Sequence, residues 1–109
     1  MSDNRCQLYL ITPENLEPRN FSNVLGAAID AGNVACVQLR LKNASRDVMA
    51  HAIDVLRPPV QERNIAFVLN DDPKLASQTG CDGVHVGQED TPYKNARAIM
   101  GGEGIVGVT

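Results

Sequence analysis

Asp82-Gly83-Val84-His85-Val86-Gly87-Gln88-Glu89-Asp90 is the stretch whose reading decides the fold. Val84 and Val86 are β-branched and alternate with other residue types, Gly87 lets the backbone turn, and three polar side chains follow. Thr91-Pro92 then offers an N-cap and a first helical position. A short strand, an acidic loop and a new helix make one βα unit. Ligands of βα folds collect at the carboxyl ends of the strands, so Asp90 is the first candidate for a functional carboxylate.

The flanking sequence repeats that unit. Residues 8–12 form a short apolar run stopped by Pro13, a buried strand. After a loop over 15–20, Phe21, Val24, Leu25, Ala28 and Ile29 fall in a helical stripe, with Asn20 as its cap and Gly32 where a C′ glycine belongs. Residues 35–41 predict a second strand. Ser45 caps a second helix, with Val48, Met49, Ala52, Ile53 and Leu56 on its apolar side. Pro58-Pro59 is expected to break or kink it, with a further turn after it. Residues 65–69 are nearly all apolar, a strand buried on both faces. Asp72 caps a short helix that starts at Pro73 and ends near Gly80. A helix over 91–100 stops at Gly101-Gly102, and residues 105–108 form a fifth strand.

The predicted order is β-α-β-α-β-α-β-α-β, with parallel pairing and right-handed crossovers. Residues 1–109 read as one domain with no low-complexity linker. A complete (β/α)8 barrel takes roughly 200 residues at least, so the expected fold is α/β of TIM-barrel type, with about the first four and a half βα units present.

Composition is that of an ordinary globular domain: 43% hydrophobic, 21% charged, with a formal net charge of −3. The acidic balance argues against nucleic acid as the main partner. No stretch reaches the roughly 18 apolar residues of a membrane span, and the polar N-terminus has no signal-like run behind it. Cys6, Cys36 and Cys81 are odd in number, widely spaced and without a CxxC, which reads as reduced thiols of a cytoplasmic protein.

Three predicted strand ends carry polar residues of a consistent kind. Gln38, Arg40 and Lys42 are spaced by two and so share a face; Asn70, Asp71 and Asp72 follow strand three; Gln88, Glu89 and Asp90 follow strand four. Parallel strands bring these ends to one rim, where carboxylates can hold a hard cation and Arg and Lys can take phosphate oxygens. Each residue also has a plainer reading. Asp72 ahead of Pro73 is most simply a helix cap. Asp71 suits a turn, and Glu89 and Asp90 suit the first turn of a helix. Arg40 and Lys42 can be solvated strand-end charges. His85, between two valines, reads as a packed histidine, His51 as a surface residue, and Cys36 and Cys81 as small core residues.

Val37-Gln38-Leu39-Arg40-Leu41-Lys42, Leu69-Asn70-Asp71, the opening stretch, and Ile105-Val106-Gly107-Val108-Thr109 together resemble the thiamine-phosphate synthase family. That family shows V-Q-L-R-x-K, an N-D pair, D-G-V-H-x-G-Q-x-D and I-[IV]-G-V-S in this order. The resemblance runs from about Leu8 to Thr109 and covers the first half of the family's barrel. It implies a magnesium-dependent transferase of thiamine biosynthesis. Hydroxymethylpyrimidine diphosphate would be joined to thiazole phosphate with release of pyrophosphate. By motif, Gln38 would bind the pyrimidine, and Arg40, Lys42 and Asn70 the diphosphate. Asp71 and Asp90 would ligate magnesium, and Thr109 stands where the family usually has a serine near the pyrimidine. No acid or base is assigned.

Two positions depart from the family: Leu41 replaces a usual acidic residue, and Asp72 a common arginine. The family's later lysine-bearing and glycine-rich phosphate loops are not in this sequence, so the 109-residue chain alone is expected to be inactive. Two competing readings are a thiazole tautomerase of the same superfamily and a non-catalytic binding or assembly module. The expected partners are small phosphorylated substrates, with neither nucleic acid nor membrane, and with room for a homo-oligomer.

Overall fold

In the computed structural model, residues 7–87 and 92–108 are described. The elements run β1 (Leu8–Ile11), α1 (Pro18–Ala31), β2 (Val34–Leu39), α2 (Arg46–Gln61), β3 (Ala66–Asn70), α3 (Pro73–Gln78), β4 (Gly83–Val86), α4 (Tyr93–Met100) and β5 (Ile105–Val108). All neighbouring strands pair in parallel, in the order β1-β2-β3-β4-β5. This is the predicted α/β architecture, with sheet order following chain order as in a TIM barrel.

Strand side chains alternate between two faces. Val37 and Leu39 of β2, Phe67 and Leu69 of β3, and Val84 and Val86 of β4 are fully or almost fully buried. They share one core with Leu25 and Ile29 of α1, Ile53, Leu56 and Val60 of α2, Leu75 and Ala76 of α3, and Ala96 of α4. All four helices therefore cover the same face. Each fully buried Leu, Val or Phe contributes about 1.5–3 kcal/mol of apolar transfer, which makes this layer the main source of stability.

Three helix boundaries differ from expectation. α1 starts at Pro18 rather than at Phe21, because proline at the first helical position gives up only an N–H that has no intrahelical partner. Its cap is Glu17, whose carboxylate accepts from the Asn20 N–H at 2.7 Å, so Asn20 is not the cap. Gly32 does end α1, but with an extended backbone. α2 continues through Pro58 and Pro59 instead of breaking. The prolines deprive Asp54 and Val55 carbonyls of their usual donors, yet Val60 beyond them is fully buried in the core. Packing overrides the local penalty. α4 begins at Tyr93 with Pro92 in the cap position, and Thr91 lies outside the described residues. Ser45 and Asp72 cap as predicted, accepting from Val48 and Leu75 N–H groups at 3.2 and 3.0 Å.

Asp82 fixes the amino end of the sheet. Its carboxylate accepts from the Phe67 N–H at 2.8 Å and from Gln61 Nε2 at 3.1 Å, while its own N–H donates to Phe67 O at 2.8 Å. Asp82→Ala would leave the Phe67 donor without its acceptor. Urea unfolding should show a loss of about 1–3 kcal/mol, against less than about 0.5 kcal/mol for the exposed Val48→Ala. Equal effects of the two substitutions would contradict this role for Asp82.

Candidate active site at the carboxyl ends of the strands

The face opposite the helices forms an open cleft of about 730 Å³, walled by residues from all five strands. Pairing arranges its side chains in rows. Ile11 lies beside Gln38, Gln38 beside Val68, and Val68 beside Gly83. One step towards the carboxyl ends, Asn70 lies beside His85 and His85 beside Gly107. Gly107 is required here: a Cβ on it would stand 2.6 Å from His85 Nδ1. A side chain at 107 would displace the imidazole.

Gln38 is only 3% exposed, and its Nε2 donates to the Tyr9 hydroxyl at 3.0 Å. Arg40 follows on the same face, exposed at the rim. A smaller neighbouring cleft brings Lys42 and Glu14 to the same Arg40, Asn70 and Asp71. The Glu14 carboxylate lies 3.3 Å from Arg40 and 4.0 Å from Lys42. These pairs are half exposed and contribute little to stability, which leaves both cations available to another anion.

The turn after β3 divides three consecutive polar residues. Asp71 has φ 77°, a left-handed conformation that Asp tolerates better than most residues, and its N–H donates to His85 O at 2.8 Å. Asn70 and Asp71 thereby line the cleft, while Asp72 turns to cap α3. The plain reading of Asp72 is correct.

Of the residues expected at the rim, Gln38, Arg40, Lys42, Asn70 and Asp71 come together. Asp90 and Thr109 lie outside the described residues, as do Gln88 and Glu89. His85 is corrected: it is half-buried and lines the cleft, because Val84 and Val86 take the core face and leave it the other. Tyr9, Val68 and Glu14 were not singled out from the sequence. Tyr9 could have been found from strand parity, since it precedes Ile11 by two on the cleft face. Glu14 lies in a loop and carries no such signal. Leu41, at the family's acidic position, packs against the core. His51 is exposed, and Cys36 and Cys81 are buried, as expected.

A family model described as thiamine monophosphate synthase matches residues 8–109. The chain belongs to the thiamine monophosphate synthase family. Thiamine-phosphate synthase of Rhodospirillum centenum is 61% identical over 104 residues, covering 95% of this chain and 50% of that protein. Its counterpart in Hyphomonas neptunium is 39% identical over 110 residues. A solved structure, thiamine phosphate pyrophosphorylase from Pyrococcus furiosus, superposes with a TM-score of 0.79 at 31% identity, over 94% of this chain and 48% of that one. The fold is thus α/β of TIM-barrel type, and the chain spans about half the length of the curated synthases it matches. Among the described residues no helix is long and apolar enough to cross a membrane.

Burial raises the pKa of the Cys36 thiol and of the Tyr9 phenol. Burial raises that of Cys81 as well. A folded-state pKa above the unfolded value favours the neutral group, so the contribution is full below the unfolded pKa and lost as pH rises past it. Stability measured by urea unfolding should therefore fall above about pH 9, and Cys36→Ala with Tyr9→Phe should flatten that fall. An unchanged alkaline slope in the double variant would contradict the assignment.

Proposed function

We propose that the cleft binds the pyrimidine diphosphate substrate of thiamine-phosphate synthesis, and that this chain supplies the half of the synthase that activates it. The observation that carries the reading is the convergence of Gln38, Arg40, Lys42, Asn70 and Asp71 on one rim. Gln38 holds the heterocycle at the cleft floor. Arg40, Lys42 and Asn70 grip the diphosphate, with charge-assisted contacts that strengthen as negative charge grows on the departing pyrophosphate. Its departure leaves a pyrimidine carbocation that the nitrogen of a thiazole phosphate captures, with no side chain needed as acid or base.

Magnesium fits this donor set. Asp71 offers a carboxylate and Asn70 an amide oxygen at one edge, the hard oxygen donors preferred by a cation that keeps several waters. Asp71 would hold it together with Asp90, and bound magnesium would neutralise charge on the diphosphate. Asn70, Asp71 and Asp90, as candidate metal ligands, favour this reading over the tautomerase, which has no need of a metal–diphosphate site. Free Cys36 and Cys81 support action in the cytoplasm.

The reading is tested in a chimera carrying residues 8–109 in place of the matching half of the Rhodospirillum centenum synthase. Thiamine phosphate should form, and Arg40→Ala should lower kcat/KM about 10- to 100-fold, as expected for loss of a charged hydrogen bond. Asp71→Asn should weaken magnesium-dependent pyrophosphate binding measured by calorimetry. A folded chimera that binds neither pyrimidine diphosphate nor pyrophosphate would overturn the proposal.

A further inference from the structure

Both edges of the sheet are built like its centre. β1 reads Leu8-Tyr9-Leu10-Ile11 and β5 reads Ile105-Val106-Gly107-Val108, with neither charge nor proline in either. Such apolar strands belong to parallel sheets covered on both faces, and an edge left to solvent is normally blunted by charge or proline. The register shift at Leu8 lies at the amino end of β1 and leaves Tyr9 to Ile11 in regular pairing. Apolar side chains are exposed along both edges: Leu8, Tyr9 and Ile11 on β1, Ile105 and Val108 on β5. One row of paired residues, Ile11, Gln38, Val68, Gly83 and Ile105, crosses the whole sheet. It begins and ends in an isoleucine about half exposed, 56% at one edge and 46% at the other.

The backbones of the two edges complement each other. On the β1 side, the Leu8 and Thr12 N–H groups donate inward, to the Asn33 and Gln38 carbonyls. A period of two turns the Tyr9 and Ile11 amides the other way, to the open edge. On β5 the Ile105 N–H donates inward to Asp82 O, which turns Val106 and Val108 outward. Each edge thus offers two outward residues spaced by two, and a parallel strand laid against it would pair both. The opposite edge of a second copy is such a strand. The exposed area agrees. The chain exposes 6693 Å² at a mass of 11.7 kDa, about 800 Å² above the roughly 5,900 Å² of an ordinary folded monomer of that mass. One partner of a standard interface buries roughly 800 Å².

We propose that a second copy of this chain docks on these edges, the β5 edge of each copy pairing in parallel with the β1 edge of the other. The contact is heterologous, and a two-fold axis along the strands closes it. Five strands from each copy then form one parallel ring in which no edge is left open. Leu8, Tyr9, Ile11, Ile105 and Val108 are covered strand against strand. All strands run the same way, so both clefts open at one end of the dimer. The contact does not depend on which ligand the cleft takes.

Sedimentation of the 109-residue chain at micromolar concentration should give twice the 11.7 kDa mass. Leu8→Lys and Val108→Lys each place a charge on a different edge. Either should weaken the dimer about 100-fold, since one lost apolar contact costs about tenfold and the dimer contains the contact twice. Val48→Lys, on α2 and as exposed as Leu8 (53% against 52%), should leave the dimer intact. Hydrogen exchange of the unsubstituted chain gives a reading that needs no variant. The Tyr9, Ile11, Val106 and Val108 amides should be protected, and should lose that protection on dilution to monomer. Should a lysine variant fail to fold, this exchange decides. A monomer with unprotected edge amides, or an assembly unchanged by both edge lysines, would overturn the proposal. So would a dimer broken by Leu8→Lys but not by Val108→Lys, which marks β1 pairing with itself.

Discussion

Burial of Val37, Leu39, Phe67, Leu69, Val84 and Val86 against a single layer of helices is the constraint on which everything else depends. A strand has two faces and a period of two. Once one set of alternate residues is committed to the helices, Tyr9, Gln38, Asn70 and His85 are committed to the other side. Slipping any strand by one residue would bury Gln38 and Asn70 in hydrocarbon and expose Phe67 and Leu69, at a cost of several buried side chains. The polar face is held in place by the apolar one.

The two ends of the sheet divide the remaining work. At the amino end, Asp82 satisfies the Phe67 amide and Gln61, a structural use of a carboxylate. At the carboxyl end, backbone turns leave side chains over. The left-handed Asp71 sends Asn70 and itself to the cleft and hands Asp72 to the next helix. Glu14 then balances Arg40 and Lys42 at half-exposed distances that a stronger anion can replace. Charge at this rim is weakly spent on stability and so remains available for a ligand.

Period and punctuation made most of this legible in the sequence. Five strands, four helices, two of the caps and the shared face of Gln38 and Arg40 follow from alternation and from Ser or Asp ahead of a helix. Where several local signals competed, tertiary packing decided. Pro58 and Pro59 argue for a break, yet Val60 has a fully buried site waiting beyond them. Asn20 is the better cap by residue type, but Pro18 is a better start, and Glu17 serves it. His85 was hidden for another reason: two flanking valines suggest an apolar setting, when alternation puts them on the opposite face. The Tyr9–Gln38 bond joins residues 29 apart and needs the register of β1 on β2 before it can be seen.

A map of 15N amide shifts during titration with pyrimidine diphosphate and magnesium tests the central claim most directly. The account predicts shifts at residues 38, 40, 70, 71, 85 and 107, with the helix-facing residues 37, 39, 67 and 84 little changed. Shifts centred on Asp82 and Gln61 at the amino end of the sheet, or spread equally over both strand faces, would contradict it.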